Sequence, residues 1–196
     1  MIFLAVVLAY LIGSVSFAVI VSWLMHLEDP RTYGSENPGA TNVLRSGNKK
    51  AAALTLIGDL CKGAVVIELA NIVFKHNIEA PTIIAIMGVA VVIGHIYPVF
   101  LKFHGGKGVA TSAGVMLGFS PYLALCVIAT WIIVFKLSKV SSLAAVVTTV
   151  FAPVFAYLIF RNTPYFGATL IIAFFVLYKH RSNIIRLLAG TEDKIK

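Results

Sequence analysis

Apolar residues fill this chain in long runs at about 2–25, 51–74, 81–101, 109–118, 121–135, 140–160 and 164–179, with short polar stretches between them. A membrane-crossing helix needs roughly 20 mostly apolar residues, so the runs predict an all-α membrane protein. The fourth run differs. "VATSAGVMLG" spans only residues 109–118, too few to cross a hydrocarbon core of roughly 30 Å at a rise of 1.5 Å per residue. It predicts a half-span packed inside protein, a placement allowed where its ends line a polar cavity. The expected architecture is seven transmembrane helices including this short half-span, in a single domain over 1–196. The first run lacks the basic start of a cleaved signal peptide and is too long for its apolar core, so it reads as the first span.

Composition strengthens this picture. Of 196 residues, 59% are hydrophobic and 12% charged, with a mean hydropathy of +0.93; a soluble domain of this size could not hide so much apolar surface. The net charge of +8 does not point to nucleic acid, because the basic residues fall between the apolar runs. With the half-span counted as a crossing, one side collects Arg31, Arg45, Lys49, Lys50, Lys102, Lys107, Lys136 and Lys139, together with Lys179, Arg181, Arg186, Lys194 and Lys196 of the tail. The other side has only Lys75 and Arg161. By the positive-inside rule this places the N-terminus outside and the C-terminus in the cytoplasm. Cys61 and Cys126 have no spacing partner, so neither a disulfide framework nor a metal site is expected.

Three polar blocks fall on the basic side. The first, "YGSENPGATNVLRSG", offers hydroxyls and amides from Ser35, Asn37, Thr41 and Asn42, close backbone approach at Gly34 and Gly39, and a two-pronged donor in Arg45. A helix starting near Pro38 would put Thr41, Asn42 and Arg45 on one face and aim free N–H groups at an anion. The competing reading is a capped re-entry helix with an interfacial arginine. The second block, "FHGGKGVATS", combines Gly105, Gly106 and Gly108 with Lys107 and His104, a nest of N–H groups ahead of a helix start that suits phosphate. It lacks Walker A spacing and a preceding strand, so nucleotide hydrolysis is unsupported. A plain glycine turn is its alternative. The third, "YKHRSNIIRLLAGTE", puts His180 and Asn183 on one helix face, with Ile184, Leu187 and Leu188 as an apolar stripe; an interfacial histidine is the competing reading. Deeper in the chain, Asp59 and Lys62 form an i, i+3 pair that reads as structural. His95 and Tyr97 are expected at the same cytoplasmic mouth, and Glu68 has no evident partner.

Taken together, "GSENPGATNVLR", "GHIYPVFLKFHGGKGVATSAG" and "HRSNIIRLLAGTE" resemble the signature blocks of the bacterial acyl-phosphate:glycerol-3-phosphate acyltransferase family, PlsY, and "GDLCKG" fits between the first two. The resemblance implies a multi-pass enzyme of the bacterial inner membrane with its active site facing the cytoplasm. It would move a fatty acyl group from acyl phosphate to the 1-hydroxyl of glycerol 3-phosphate, giving lysophosphatidic acid and phosphate. No cofactor, metal or nucleic acid is expected; the partners are the two substrates and membrane lipid, with the oligomeric state open and a monomer compatible with the sequence. The H-x4-D motif of other glycerol-phosphate acyltransferases is absent: none of the histidines at 26, 76, 95, 104 and 180 has an aspartate five residues on.

Carried across, the first block gives Ser35, Thr41, Asn42 and Arg45, the second Gly105, Gly106, Lys107 and Gly108, and the third His180, Asn183 and Glu192. Arg45, His180 and Asn183 are the expected catalytic residues. Phosphate binding is expected from Ser35, Thr41, Asn42, Arg45, His104, Gly105, Gly106, Lys107 and Gly108. At 104 the chain departs from the family's K-G-G-K-G: a permanent cation gives way to an imidazole. The proton acceptor stays open between His180 and a substrate phosphate oxygen. An organic-phosphate transporter and a non-catalytic scaffold are the alternatives; the transporter is disfavoured because the polar blocks all fall on one face of the membrane.

Overall fold

The computed structural model describes residues 1–195; Lys196, one of the basic residues of the tail, lies outside the described residues. The first apolar run is not one straight helix as expected. It forms α1 (Ile2–Ser14) and α2 (Phe17–Leu24), bent by 43° at the junction. Local chemistry favours the break: Ser14 Oγ donates to Tyr10 O (2.9 Å), while Ser16 caps α2. The carbonyl of Val15, left without a helical partner, accepts from Lys62 Nζ at 2.8 Å.

The chain continues through α3 (Ala40–Leu44), α4 (Lys49–Phe74), α5 (Ala80–Ile96), a 3-10 turn (Val99–Leu101), α6 (Val109–Phe119), α7 (Pro121–Ser138), α8 (Ser141–Phe160), α9 (Pro164–Lys179) and α10 (Arg181–Leu188). Among the described residues there is no strand. Boundaries follow cap chemistry: Asn48 Oδ1 accepts from the Ala51 N–H (3.0 Å) at the start of α4, and Pro121 and Pro164 open α7 and α9. Among the described residues, three helices are long and apolar enough to cross a membrane: α5 with its 3-10 extension, α7 and α8; the bent α1/α2 pair makes a fourth. Within α4, Asp59, Lys62 and Glu68 interrupt an otherwise apolar helix, whereas α9 and α6 are apolar but short.

The half-span α6 is about 16 Å long by its rise per residue and packs inside the bundle. Its path is cut by small residues. A methyl on Gly114 would collide with Leu60 O and one on Gly63 with Thr111 O, so α4 and α6 cross backbone to backbone. The core around them includes Ile67, Val91, Val92, Val115, Leu123 and Ile172, while Leu125, Ile133 and Phe174 lie exposed on outer faces. All three polar blocks meet at one end of the bundle, where Thr41 Oγ1 and Ser141 Oγ are hydrogen-bonded at 3.1 Å.

Candidate active site

A cavity of about 1060 Å³ opens at that end and runs inward between the helices. Its mouth is polar and cationic, lined by Ser35, Arg45, His104, Lys107, Arg181 and Arg186 among others. Its inner wall is apolar, built from Leu60, Met116, Val127, Ile128, Trp131 and Ile172. One space therefore has the two surroundings that a phosphorylated, long-chain molecule needs.

The first block forms a loop tied down from within. Asn42 is 2% exposed; its Nδ2 donates to Pro30 O (2.7 Å) and Tyr33 O (3.1 Å), and its Oδ1 accepts from the Ser35 N–H (3.0 Å). This corrects the expectation that Asn42 binds phosphate: its amide is committed to the loop backbone. Helix α3 begins at Ala40 behind an extended Gly39, two residues beyond the expected start at Pro38. Ser35 and Thr41 line the cavity, and Arg45 Nη2 reaches Asp193 Oδ2 at 3.3 Å.

In the glycine block, Gly108 has φ +88°, a left-handed conformation that glycine adopts without strain, and it launches α6. Gly108, Val109 and Ala110 line the cavity at this helix start, where N–H groups lack intrahelical acceptors. Gly106 needs correction. Its N–H donates to His95 O (3.1 Å), and a side chain on it would collide with His95 Nε2. Gly106 is thus a close-packing position, not a phosphate ligand. His104 sits on the exposed rim with Nδ1 hydrogen-bonded to Lys102 O at 2.7 Å.

The third block turns at His180, between α9 and α10. His180 is 3% exposed and lines the cavity. Its Nδ1 is 2.7 Å from Val176 O, and because a carbonyl only accepts, Nδ1 must carry the proton and Nε2 of the neutral ring is an acceptor. Burial pushes the His180 pKa down to about 4, against the opposing hydrogen bond to Val176. Lys107 Nζ donates to Asn183 Oδ1 (2.6 Å), and Asn183 Nδ2 donates to Glu192 Oε1 (2.6 Å). Burial likewise pushes Lys107 down to about 8, with the Glu192 carboxylate pulling the other way. Burial raises the Glu192 carboxyl, but hydrogen bonds from Ser142, Asn183 and Arg186 outweigh it and hold the pKa below the ordinary value. Arg45, Lys107, His180 and Asn183 therefore share one pocket rim.

Sequence reasoning passed over Ser142, whose Oγ donates to Glu192 Oε1 (2.7 Å), and Arg186, whose Nε donates to Glu192 Oε2 (2.6 Å). The signal for Arg186 was its place one helical turn after Asn183; Ser142 looks like any residue at a helix start.

A helix-bounded cavity with a cationic mouth and an apolar interior has the surroundings that suit an anionic amphiphile in a membrane protein. The comparisons with known proteins sharpen that class. The glycerol-3-phosphate acyltransferase family profile matches residues 3–190. The glycerol-3-phosphate acyltransferase of Burkholderia vietnamiensis is 55% identical over 99% of this chain and 91% of its own length. That of Chromobacterium violaceum is 52% identical over 98% of this chain and 94% of its own. Among solved structures, the crystal structure of PlsY, an integral membrane glycerol 3-phosphate acyltransferase, in its glycerol 3-phosphate form, superimposes with a TM-score of 0.91 at 35% identity. The match covers all of this chain and 96% of that one. The lysophosphatidic acid form gives 0.90. The chain belongs to the glycerol-3-phosphate acyltransferase family.

Proposed function

We propose that this chain is a single-domain enzyme of the bacterial inner membrane that transfers a fatty acyl group from acyl phosphate to the 1-hydroxyl of glycerol 3-phosphate. It crosses the bilayer seven times, counting α1/α2 as one span and α6 as a half-span, with its N-terminus outside and its active site at the cytoplasmic face. The uneven distribution of basic residues supports that orientation. The observation that carries the reading is the gathering of Arg45, Lys107, His180 and Asn183 at the polar mouth of a cavity whose depth is apolar. Membership of an acyltransferase family supports transfer rather than transport.

Arg45, Lys107, Ser35 and the start of α6 hold the two substrate phosphates, with Thr41 and His104 at the rim and the acyl chain lying against Leu60, Val127 and Ile172. Asp193 on Arg45 is 76% exposed on its side chain, and such a pair contributes only about 0–1 kcal/mol, so an incoming phosphate displaces it readily. The acceptor oxygen attacks the acyl carbonyl carbon; the new ester C–O bond forms as the C–O bond to phosphate breaks, and phosphate leaves with the electron pair. With a pKa of about 4, His180 would be protonated in only roughly one molecule in a thousand at pH 7. It is too weak a base to keep the proton. Its Nε2 lone pair orients the acceptor hydroxyl, and a phosphate oxygen, with a second pKa near 6, takes the proton. Acyl phosphate is already activated, so positioning and charge stabilisation supply the catalysis.

The test is purified protein in detergent micelles with palmitoyl phosphate and glycerol 3-phosphate. An acyltransferase releases phosphate only when both are present and needs no second compartment. No release above the protein-free rate would remove the proposal.

A further inference from the structure

Beneath the glycine loop lies a buried polar cluster that the chemistry above does not use. Lys62 Nζ donates to Val15 O at 2.8 Å, lies 2.9 Å from His95 Nδ1 and forms an ion pair with Asp59 Oδ1 at 2.9 Å, an oxygen that is also 3.5 Å from His95 Nδ1. Asp59, Lys62 and His95 are 2%, 4% and 8% exposed. The cluster thereby joins the bend between α1 and α2 to the middle of α4 and the end of α5. With Lys62 as the ammonium that its Asp59 partner favours, His95 Nδ1 accepts and the ring carries its proton on Nε2. That edge of the ring faces Gly106, whose N–H also donates to the His95 carbonyl at 3.1 Å. Lys107, the cation that reaches Asn183, is the next residue.

We propose that His95 is a positioning residue for the phosphate loop: Lys62 and Asp59 fix its ring, and the ring and carbonyl of His95 set Gly106 and so aim Lys107 and the start of α6 at the substrate. Lys62 holds the ring from one side while Gly106 lies against the other. Lys62, hydrogen-bonded to a carbonyl and an imidazole and ion-paired with a carboxylate, is committed to the protein's own groups. Its effect on the reaction is transmitted through His95. The inference rests on the reading of Lys107 and the start of α6 as a phosphate site.

The experiment is a double-mutant cycle on the full chain in defined lipid, with KM for each substrate and kcat measured separately. Gly106→Ala drives a methyl into the ring; His95→Ala removes the ring and makes room for it. Each single variant is expected to raise KM for at least one phosphate-bearing substrate by about tenfold, with a smaller change in kcat. The double variant is expected to be no worse than the poorer single one. If the two losses multiply, or if His95→Ala leaves both KM values as in the unaltered protein, the proposal is overturned. Should His95→Ala fail to elute as a folded protein, the paired Asp59→Leu/Lys62→Met variant takes its place, since it removes the anchor without leaving a lone buried charge. Unaltered KM values there overturn the proposal equally. Lys107→Ala separates the two layers: unchanged kinetics in that variant would refute the phosphate reading of the loop itself.

Discussion

Arg45 rests on the exposed carboxylate of Asp193, a contact that the proposed reaction would exchange for a substrate phosphate. Removing a charged donor that contacts the reacting groups typically costs 10²–10³ in rate. Arg45→Ala is therefore expected to lower kcat/KM about 100-fold or more in a steady-state assay, with Arg45→Lys recovering only part, because an ammonium lacks the two-pronged geometry. Lys107 makes a prediction with a sign. Only its protonated form attracts phosphate, and burial brings its pKa from 10.5 to about 8. The charge is present below that value and lost as the pH rises through it, so KM for the phosphate substrate should climb above about pH 8. In Lys107→Arg the climb should vanish, since arginine keeps its charge. The sequence singled out both residues, because a cation beside glycine or a hydroxyl suits an anion in any fold, and both line the cavity. It misled at Asn42 and Gly106, whose chemistry is equally polar or equally open but is spent on the protein's own backbone.

Among the elements, the helices were legible because long apolar runs and flanking prolines and caps report on local physics. The bend between α1 and α2 was not. Ser14 and Ser16 favour a break locally, but they sit in an unbroken apolar run, and Lys62, which takes the freed Val15 carbonyl, lies 47 residues away. The loop ahead of α3 was hidden for the same reason, since Asn42 ties it together across up to 12 residues. Asn42→Ala leaves three backbone groups without their partner, each costing about 1–3 kcal/mol where burial persists. Thermal unfolding should occur at a lower temperature, and trypsin should cut after Arg31 faster than in the unaltered protein. Asn42→Asp should not rescue it, because a carboxylate can accept from Ser35 N–H but cannot donate to Pro30 O and Tyr33 O.

At the scale of the whole molecule, the three blocks come to one end because the spans between them return the chain to the same face, which the basic residues already indicated. The tail was harder to read: Glu192 reaches back to Asn183 and Arg186 of α10 and across to Ser142, the last contact made possible only by the position of α8 next to α10. Glu192 also raises the Lys107 pKa. Glu192→Gln should thus move the alkaline rise in KM to lower pH, a shift read directly from the KM–pH profile.

The central claim is that this cavity joins an activated acyl phosphate to glycerol 3-phosphate. The most direct test counts products by mass spectrometry and phosphate assay after incubating the purified protein, in lipid nanodiscs, with glycerol 3-phosphate and either palmitoyl phosphate or palmitoyl-CoA. The account predicts one lysophosphatidic acid, acylated at the 1-position, for each phosphate released from palmitoyl phosphate, and none from palmitoyl-CoA. Phosphate release without lysophosphatidic acid, or equal turnover of the thioester, would contradict it.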